Sequence, residues 1–213
     1  MENSNQLLLD AAESGDSATL LKALSVGADV NAQDSHGWTA AMWAASSGHV
    51  AFLSLLLEAG ADIDVKNSDG FNASMLAANN RHVACVSLLL EAGADIGAKG
   101  SRGSTALMWA ASNGYVDCLS LLIKAGIDMD AKGLMGSTAS MCAASNGHGT
   151  FLSLLIEAGV DIDAKDLMGL TASMCAARYG HVECQLIIAA EVERRALHAA
   201  VSEPSTPCST RRV

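Results

Sequence analysis

Residues 34 to 62 read DSHGWTAAMWAASSGHVAFLSLLLEAGAD, and the order of signals in this stretch defines a unit of structure. Thr39 is a good helix N-cap, and the small, apolar run that follows it can make a helix of only about two to three turns before Gly48 stops it. A second helix must therefore begin near His49. In it, Phe52, Leu53, Leu55, Leu56 and Leu57 leave almost no polar side, as expected where neighbours pack on both flanks. Gly60 stands where a left-handed C-cap residue belongs. The next segment, ADIDVKNSDG, is polar and ends at Gly70, so it reads as an extended loop or the tip of a β-hairpin.

Outward from this stretch the same signals return at a fixed interval. Gly37, Gly70, Gly103, Gly136 and Gly169 are spaced by 33 residues, and so are Gly27, Gly60, Gly93, Gly126 and Gly159. Gly15, Gly48, Gly114, Gly147 and Gly180 keep the register, with Arg81 as its one break. Thr39, Asn72, Thr105, Thr138 and Thr171 start the first helix of successive units. A period of this size means a solenoid, in which each unit buries its apolar sides against its neighbours. The units fall at 1–33, 34–66, 67–99, 100–132, 133–165 and 166–201, leaving a tail at 202–213. That tail has both prolines, Pro204 and Pro207, and is expected to be disordered.

With its near copy SRGSTALMWAASNGYVDCLSLLIKAGID (residues 101 to 128), the opening stretch resembles the ankyrin repeat. The resemblance rests on Asp-x-x-Gly-x-Thr, an Ala-Ala pair closing the first helix, Gly-His, paired leucines and Gly-Ala-Asp, and it covers residues 1 to about 190. It implies an all-α repeat solenoid, an ankyrin-type stack of helix-turn-helix units with β-hairpin or loop fingers and a concave groove. Units 1–33 and 166–201 would be the caps, the first through Glu2, Asn3, Ser4 and Asn5, the last through EVERRALHAAV with a charged outer face. The family Pro is Ala at Ala40, Ala73, Ala106, Ala139 and Ala172, and the family His is Met at Met42, Met75, Met108, Met141 and Met174. Ala keeps the first turn helical, and flexible Met side chains can fill the volume left by Ala41, Ser74, Ser140 and Ser173. Unit three departs most, with Arg81 for Gly, Asn72 for Thr, and Ser74 beside a smaller Leu76, so it is the expected weak point.

Composition narrows the function. The chain of 213 residues has a formal charge of −10 spread along its length, which argues against nucleic acid as a partner. No apolar run approaches the ~18 residues of a membrane span, and MENSNQLLLD lacks the pattern of a secretory signal. A monomer in the cytoplasm, with nuclear entry open to it, is the expectation. Of the six cysteines, Cys85, Cys118, Cys184, Cys142 and Cys175 fall on two repeat-equivalent positions. Neighbouring units lie roughly 10 Å apart, too far for a disulfide, so these read as buried apolar thiols and Cys208 as a free exposed one. His49, His82, His148 and His181 also share one frame and read as structural histidines that hydrogen-bond within their own turn. Neither they nor the cysteines supply the four converging ligands of a zinc site, and Ser140 and Ser173 sit in no nucleophile elbow. No metal, no cofactor and no catalytic residue is expected. Lys66, Lys99, Lys132 and Lys165 follow aspartates such as Asp62 and Asp64, reading as a solvated row of opposite charges whose acidic surplus would steer a basic partner.

What the resemblance implies is a non-catalytic scaffold or adaptor that binds a partner protein through its groove, with the alternative of a targeting subunit of an enzyme, or a cryptic enzyme. In that family the partner is met at the finger tips and along the inner helices. Carried onto this sequence, the binding positions are His36, Trp38, Asp69, Phe71, Arg102, Leu134, Met135, Leu167, Met168, Leu170 and Tyr179. The apolar members of this set should form an exposed stripe, with Trp38 and Phe71 as aromatic anchors. LKALSVGADVN further resembles ankyrin segments that are hydroxylated on asparagine, which marks Asn31 as a modification candidate.

Overall fold

The computed structural model describes residues 4 to 202, and Glu2, Asn3, Cys208 and residues 203 to 213 lie outside that range. Among the described residues, twelve α-helices follow in pairs. They are α1 (Ser4–Ser14) with α2 (Ser17–Ser25), α3 (Ala40–Ser47) with α4 (Val50–Glu58), and α5 (Ala73–Asn79) with α6 (Val83–Glu91). Then come α7 (Ala106–Asn113) with α8 (Val116–Lys124), α9 (Ala139–Ser145) with α10 (Gly149–Glu157), and α11 (Ala172–Tyr179) with α12 (Val182–Ser202). Odd-numbered helices pack on one another in an inner row and even-numbered helices in an outer row.

Local chemistry sets each boundary. The Oγ1 of Thr39 accepts the Met42 backbone N–H at 3.3 Å, and Asn72, Thr105, Thr138 and Thr171 cap their helices in the same way. The family-His positions hold Met42, Met75, Met108 and Met141, all fully buried between units. Each buried Met stabilises the stack by roughly 1.5–3 kcal/mol. The second helices end at Gly60, Gly93, Gly126 and Gly159, each at positive φ.

At the turn within each pair, the expectation that histidine bonds inside its own turn needs correction. His49 Nε2 reaches the Glu13 carbonyl of the preceding unit at 3.1 Å, His148 that of Ser112 at 3.0 Å and His181 that of Ser145 at 2.9 Å. The turn glycine makes room for this. A Cβ on Gly48, at φ +77°, would lie 2.5 Å from the His82 ring. Unit three is different. Arg81 holds the same left-handed conformation at φ +63°, and unit four answers with Tyr115 in place of histidine. The Arg81 guanidinium lies 5.7 Å from the Tyr115 ring and 3.0 Å from the Asp117 carboxylate.

The fingers are loops, not β-hairpins. Among the described residues the nearest thing to a strand is a single bridge between Gln33 and Thr39. Each finger is closed by one backbone bond across its base, as from Asp34 N–H to the Trp38 carbonyl, and a turn bond inside it, as from Gly37 N–H to the Asp34 carbonyl, which is too few for a ladder. In three fingers a side chain does the remaining work. Asp34 Oδ1 accepts the N–H groups of His36 and Trp38, Asn67 those of Asp69 and Phe71, and Asp166 those of Met168 and Leu170. Units four and five have Gly100 and Gly133 at that position and lack the clamp. In unit five the tip becomes a single 3-10 turn, Leu134–Gly136, with Met135 at φ +62°.

At the finger bases the charges are structural rather than merely solvated. Asn31 Oδ1 accepts the Asp62 N–H, Asp64 the Asp95 N–H and Asp130 the Asp161 N–H, each rung joining one unit to the next. Gly97 has no side chain to make the rung to Asp128. The lysines do not pair with these aspartates. Lys66 Nζ donates to the Lys99 carbonyl at 2.9 Å, Lys99 to that of Lys132 and Lys132 to that of Lys165.

The C-terminal cap also corrects the reading from sequence. α12 runs through Ser202, and of its charges Glu193 and Arg194 are exposed while one carboxylate turns inward. Glu191 is buried and bonds both Arg194 and Arg195, whose guanidiniums hold its carboxyl well below the usual carboxylate range. Arg195 also reaches Asp163 at 3.6 Å, taking the place of the next rung.

Candidate partner-binding groove

Fingers and inner helices face one another across an open groove, and its two ends are finished differently. Toward the N-terminus the expected anchors are paired internally. Trp38 is half-buried with its ring centroid 4.4 Å from that of Trp43, and Phe71 is half-buried 5.2 Å from Trp109. Each ring keeps part of its surface open, and Phe71 and Trp109 line a hollow with Asp69, Ser101, Arg102 and Ser104. His36, Asp69 and Arg102 are exposed at their tips.

Toward the C-terminus the tips are apolar and unpaired. Leu134 is 59% exposed, Met135 52%, Leu167 77% and Met168 68%, with Tyr179 at 60% on the inner-helix side. Leu170 is half-buried at the finger base. The tips are chained by backbone bonds, from Leu134 N–H to the Arg102 carbonyl and from Leu167 N–H to the Met135 carbonyl, so the apolar groups form one row.

Beneath this row the groove is hollow, a feature that the choice of tip residues alone does not reveal. The inner-helix position that holds Trp43 and Trp109 holds Cys142 and Cys175 here, and the finger position of Trp38 and Phe71 holds Ser137. The small side chains open a hollow of about 230 Å³ lined by Trp109, Ser137, Cys142 and Leu134. A second, lined by Cys142, Cys175, Met168, Leu170, Arg178 and Tyr179, continues it. The signal was present in the sequence as a run of Trp, Leu, Trp, Cys, Cys at one repeat position. Arg178, in the last turn of α11, also belongs to this wall although the tip pattern does not contain it. Neither Arg102 nor Arg178 has a carboxylate partner among the described residues.

Burial pushes the Cys85 and Cys118 thiols up to about 11, and it also raises that of Cys142, so these sulfurs stay protonated at neutral pH. Among the described residues, no group of three or more His, Cys, Asp or Glu is arranged to hold a metal ion. No described helix is long and apolar enough to cross a membrane.

A family model for ankyrin repeats (3 copies) matches residues 8–100 and 97–166. The chain belongs to the ankyrin repeat family. No curated protein gives a significant match to it. The matched span closes at Asp166, and beyond it the ankyrin stack continues as the helix pair α11 and α12. Ankyrin repeats are protein–protein interaction modules, and in this ankyrin protein the open apolar surface lies at the C-terminal end of the groove. Asn31, at the first finger base, is half-buried with its Oδ1 engaged by Asp62.

Proposed function

We propose that this ankyrin array is a non-catalytic scaffold that holds a partner polypeptide in the C-terminal half of its groove. The observation that carries the reading is the exposed row of Leu134, Met135, Leu167 and Met168 above hollows left by Ser137, Cys142 and Cys175. Contiguous exposed apolar groups beside an unfilled pocket mark a binding surface, because a partner's side chains remove both surfaces from water at once. The unpaired Arg102 and Arg178 suit a partner segment whose carboxylates flank its apolar residues. The free thiols fit a reducing compartment, and we assign the protein to the cytoplasm.

The test is Met135→Asp with Met168→Asp, applied to affinity capture from the cells of origin. Both side chains are more than half exposed, so the melting temperature should hold while capture of the stoichiometric partner is lost. A large fall in melting temperature with capture retained per folded molecule would show that these residues belong to the core. Asn31 is proposed as a hydroxylation acceptor on the strength of LKALSVGADVN. Its mass should rise by one oxygen in cells that contain an asparagine hydroxylase, and an unchanged intact mass would remove it from the candidates.

A further inference from the structure

α12 departs from the outer helices before it in what it presents to solvent. At one repeat position Ser54, Ser87, Ser120 and Ser153 keep those helices polar on the outside, and α12 puts Leu186 there. The extension of the helix past the repeat keeps adding to the same side. Val182 is 61% exposed, Leu186 66%, Leu197 69% and Val201 86%. At 3.6 residues per turn these four fall on one side of the helix, with Ala189, Ala190, Glu193 and Ala200 between them and the buried Cys184, Ile188 and Glu191 opposite. Val182 keeps the valine that Val50, Val83 and Val116 hold in earlier units, whereas Leu186 replaces a repeated serine and Leu197 and Val201 lie beyond the repeat.

The occupant can be argued from the two ends of the molecule. A copy stacking head to tail would bring the free flank of the first unit, which carries Asp10, Thr19 and Lys22 where the second unit has Trp43, Phe52 and Leu55. That flank is polar and does not match. The strip on α12 matches itself, because Val-x-x-x-Leu at 182–186 and Leu-x-x-x-Val at 197–201 read the same from either direction. We infer that two copies of this chain associate through α12, antiparallel about a two-fold axis, in place of the monomer expected from the sequence. Val182 then faces the second copy's Val201 and Leu186 faces the second copy's Leu197, an isologous contact that closes on itself. Glu193 meets the second copy's Ala190 rather than its own twin, and the small Ala189 and Ala190 let the helix axes approach. With one helix per copy the association should be weak, with a dissociation constant of about 1–100 μM. The inference is independent of the groove. A dimer would carry two grooves and bind a divalent partner with avidity.

Sedimentation velocity on the full chain, from about 1 to 200 μM, tests it. The expected result is a concentration-dependent dimer that Leu186→Glu with Leu197→Glu weakens at least ~30-fold by burying unpaired charge, with helicity and melting temperature retained. Leu21→Glu, which alters an equally exposed apolar residue on α2, should leave the dimer intact. A monomer throughout the range would overturn the inference and mean that the strip has another occupant. A dimer that survives the double substitution, or one broken by Leu21→Glu, would overturn it as well by placing the contact elsewhere.

Discussion

Between Trp38 and Trp109 the groove is lined by paired rings, with one hollow beside Phe71, Ser104 and Trp109, whereas between Ser137 and Tyr179 it is lined by serine and cysteine beneath exposed leucine and methionine. The backbone of the two halves is nearly the same. Thr39 and Thr138 cap their helices alike, and His49 and His148 tie their turns to the preceding unit alike. The difference comes down to side-chain size at one inner-helix position and one finger position. What this teaches is a division of labour within each unit: positions that bond or pack against neighbours hold the stack, and two positions facing the groove decide whether it is filled from within or left open to a partner.

Exchanging the two finishes should break the comparison. Trp109→Cys gives unit four the lining of unit five and removes the ring on which Phe71 packs, so it should cost about 2 kcal/mol in urea denaturation. The value lies at the low end for a lost Trp because the Trp109 Nε1 is buried without a partner and its removal relieves that cost. A loss well under 1 kcal/mol would mean that the ring contributes little to the stack. The converse, Cys142→Trp, should fill the hollow beside Ser137 and reduce partner capture at least ~10-fold with the melting temperature unchanged or raised. Undiminished capture would show that the partner does not enter the hollow.

The smallest effect is expected at the one turn that breaks the repeat. Arg81→Gly relieves a left-handed non-glycine residue, worth ~1 kcal/mol, but gives up the contact with the Tyr115 ring and an exposed ion pair to Asp117. The net change should stay within about 0.5 kcal/mol. Adding Tyr115→His, which lets a ring nitrogen reach for the Asn79 carbonyl as its counterparts do, should bring the gain back toward ~1 kcal/mol. A fall in melting temperature for the double variant would show that arginine and tyrosine at this junction outperform the repeated pair.

The sequence made the helices, their caps and their register legible because each is written locally and then repeated: Thr39 needs only Met42 to act as a cap. What it concealed are contacts that cross from one unit to the next. His148 and its acceptor Ser112 are 36 residues apart, and Phe71 finds its ring partner Trp109 in the following unit, whereas Trp38 finds Trp43 in its own. The C-terminal cap misled for a different reason. The letters EVERR suggest a charged exterior, which Glu193 and Arg194 supply in part, yet the carboxylate of Glu191 turns inward to bond both arginines, and Leu186 and Leu197 share the outward side. In the candidate site, the apolar tips could be read from the chain because their residue types depart from the polar norm of a loop. The hollows beneath them arise from volume that is absent, which becomes visible only when the neighbours are in place.

The rungs at the finger bases give the array a mechanical character. Asn31 with Asp62, Asp64 with Asp95, and Asp130 with Asp161 act as short, stiff ties along one edge, and Arg195 on Asp163 closes the row at the cap. Between units three and four the tie is missing, because Gly97 has no side chain to offer Asp128. That joint is linked instead by Lys99 on the Lys132 carbonyl, the exposed Arg81–Asp117 pair, Ser101 on the Asp69 carbonyl and Asn113 on the Asn79 side chain. The stiff edge is therefore interrupted once, where the Phe71–Trp109 ring pair bridges units three and four, so that bending there would shift this pair together with the opening of the hollow half.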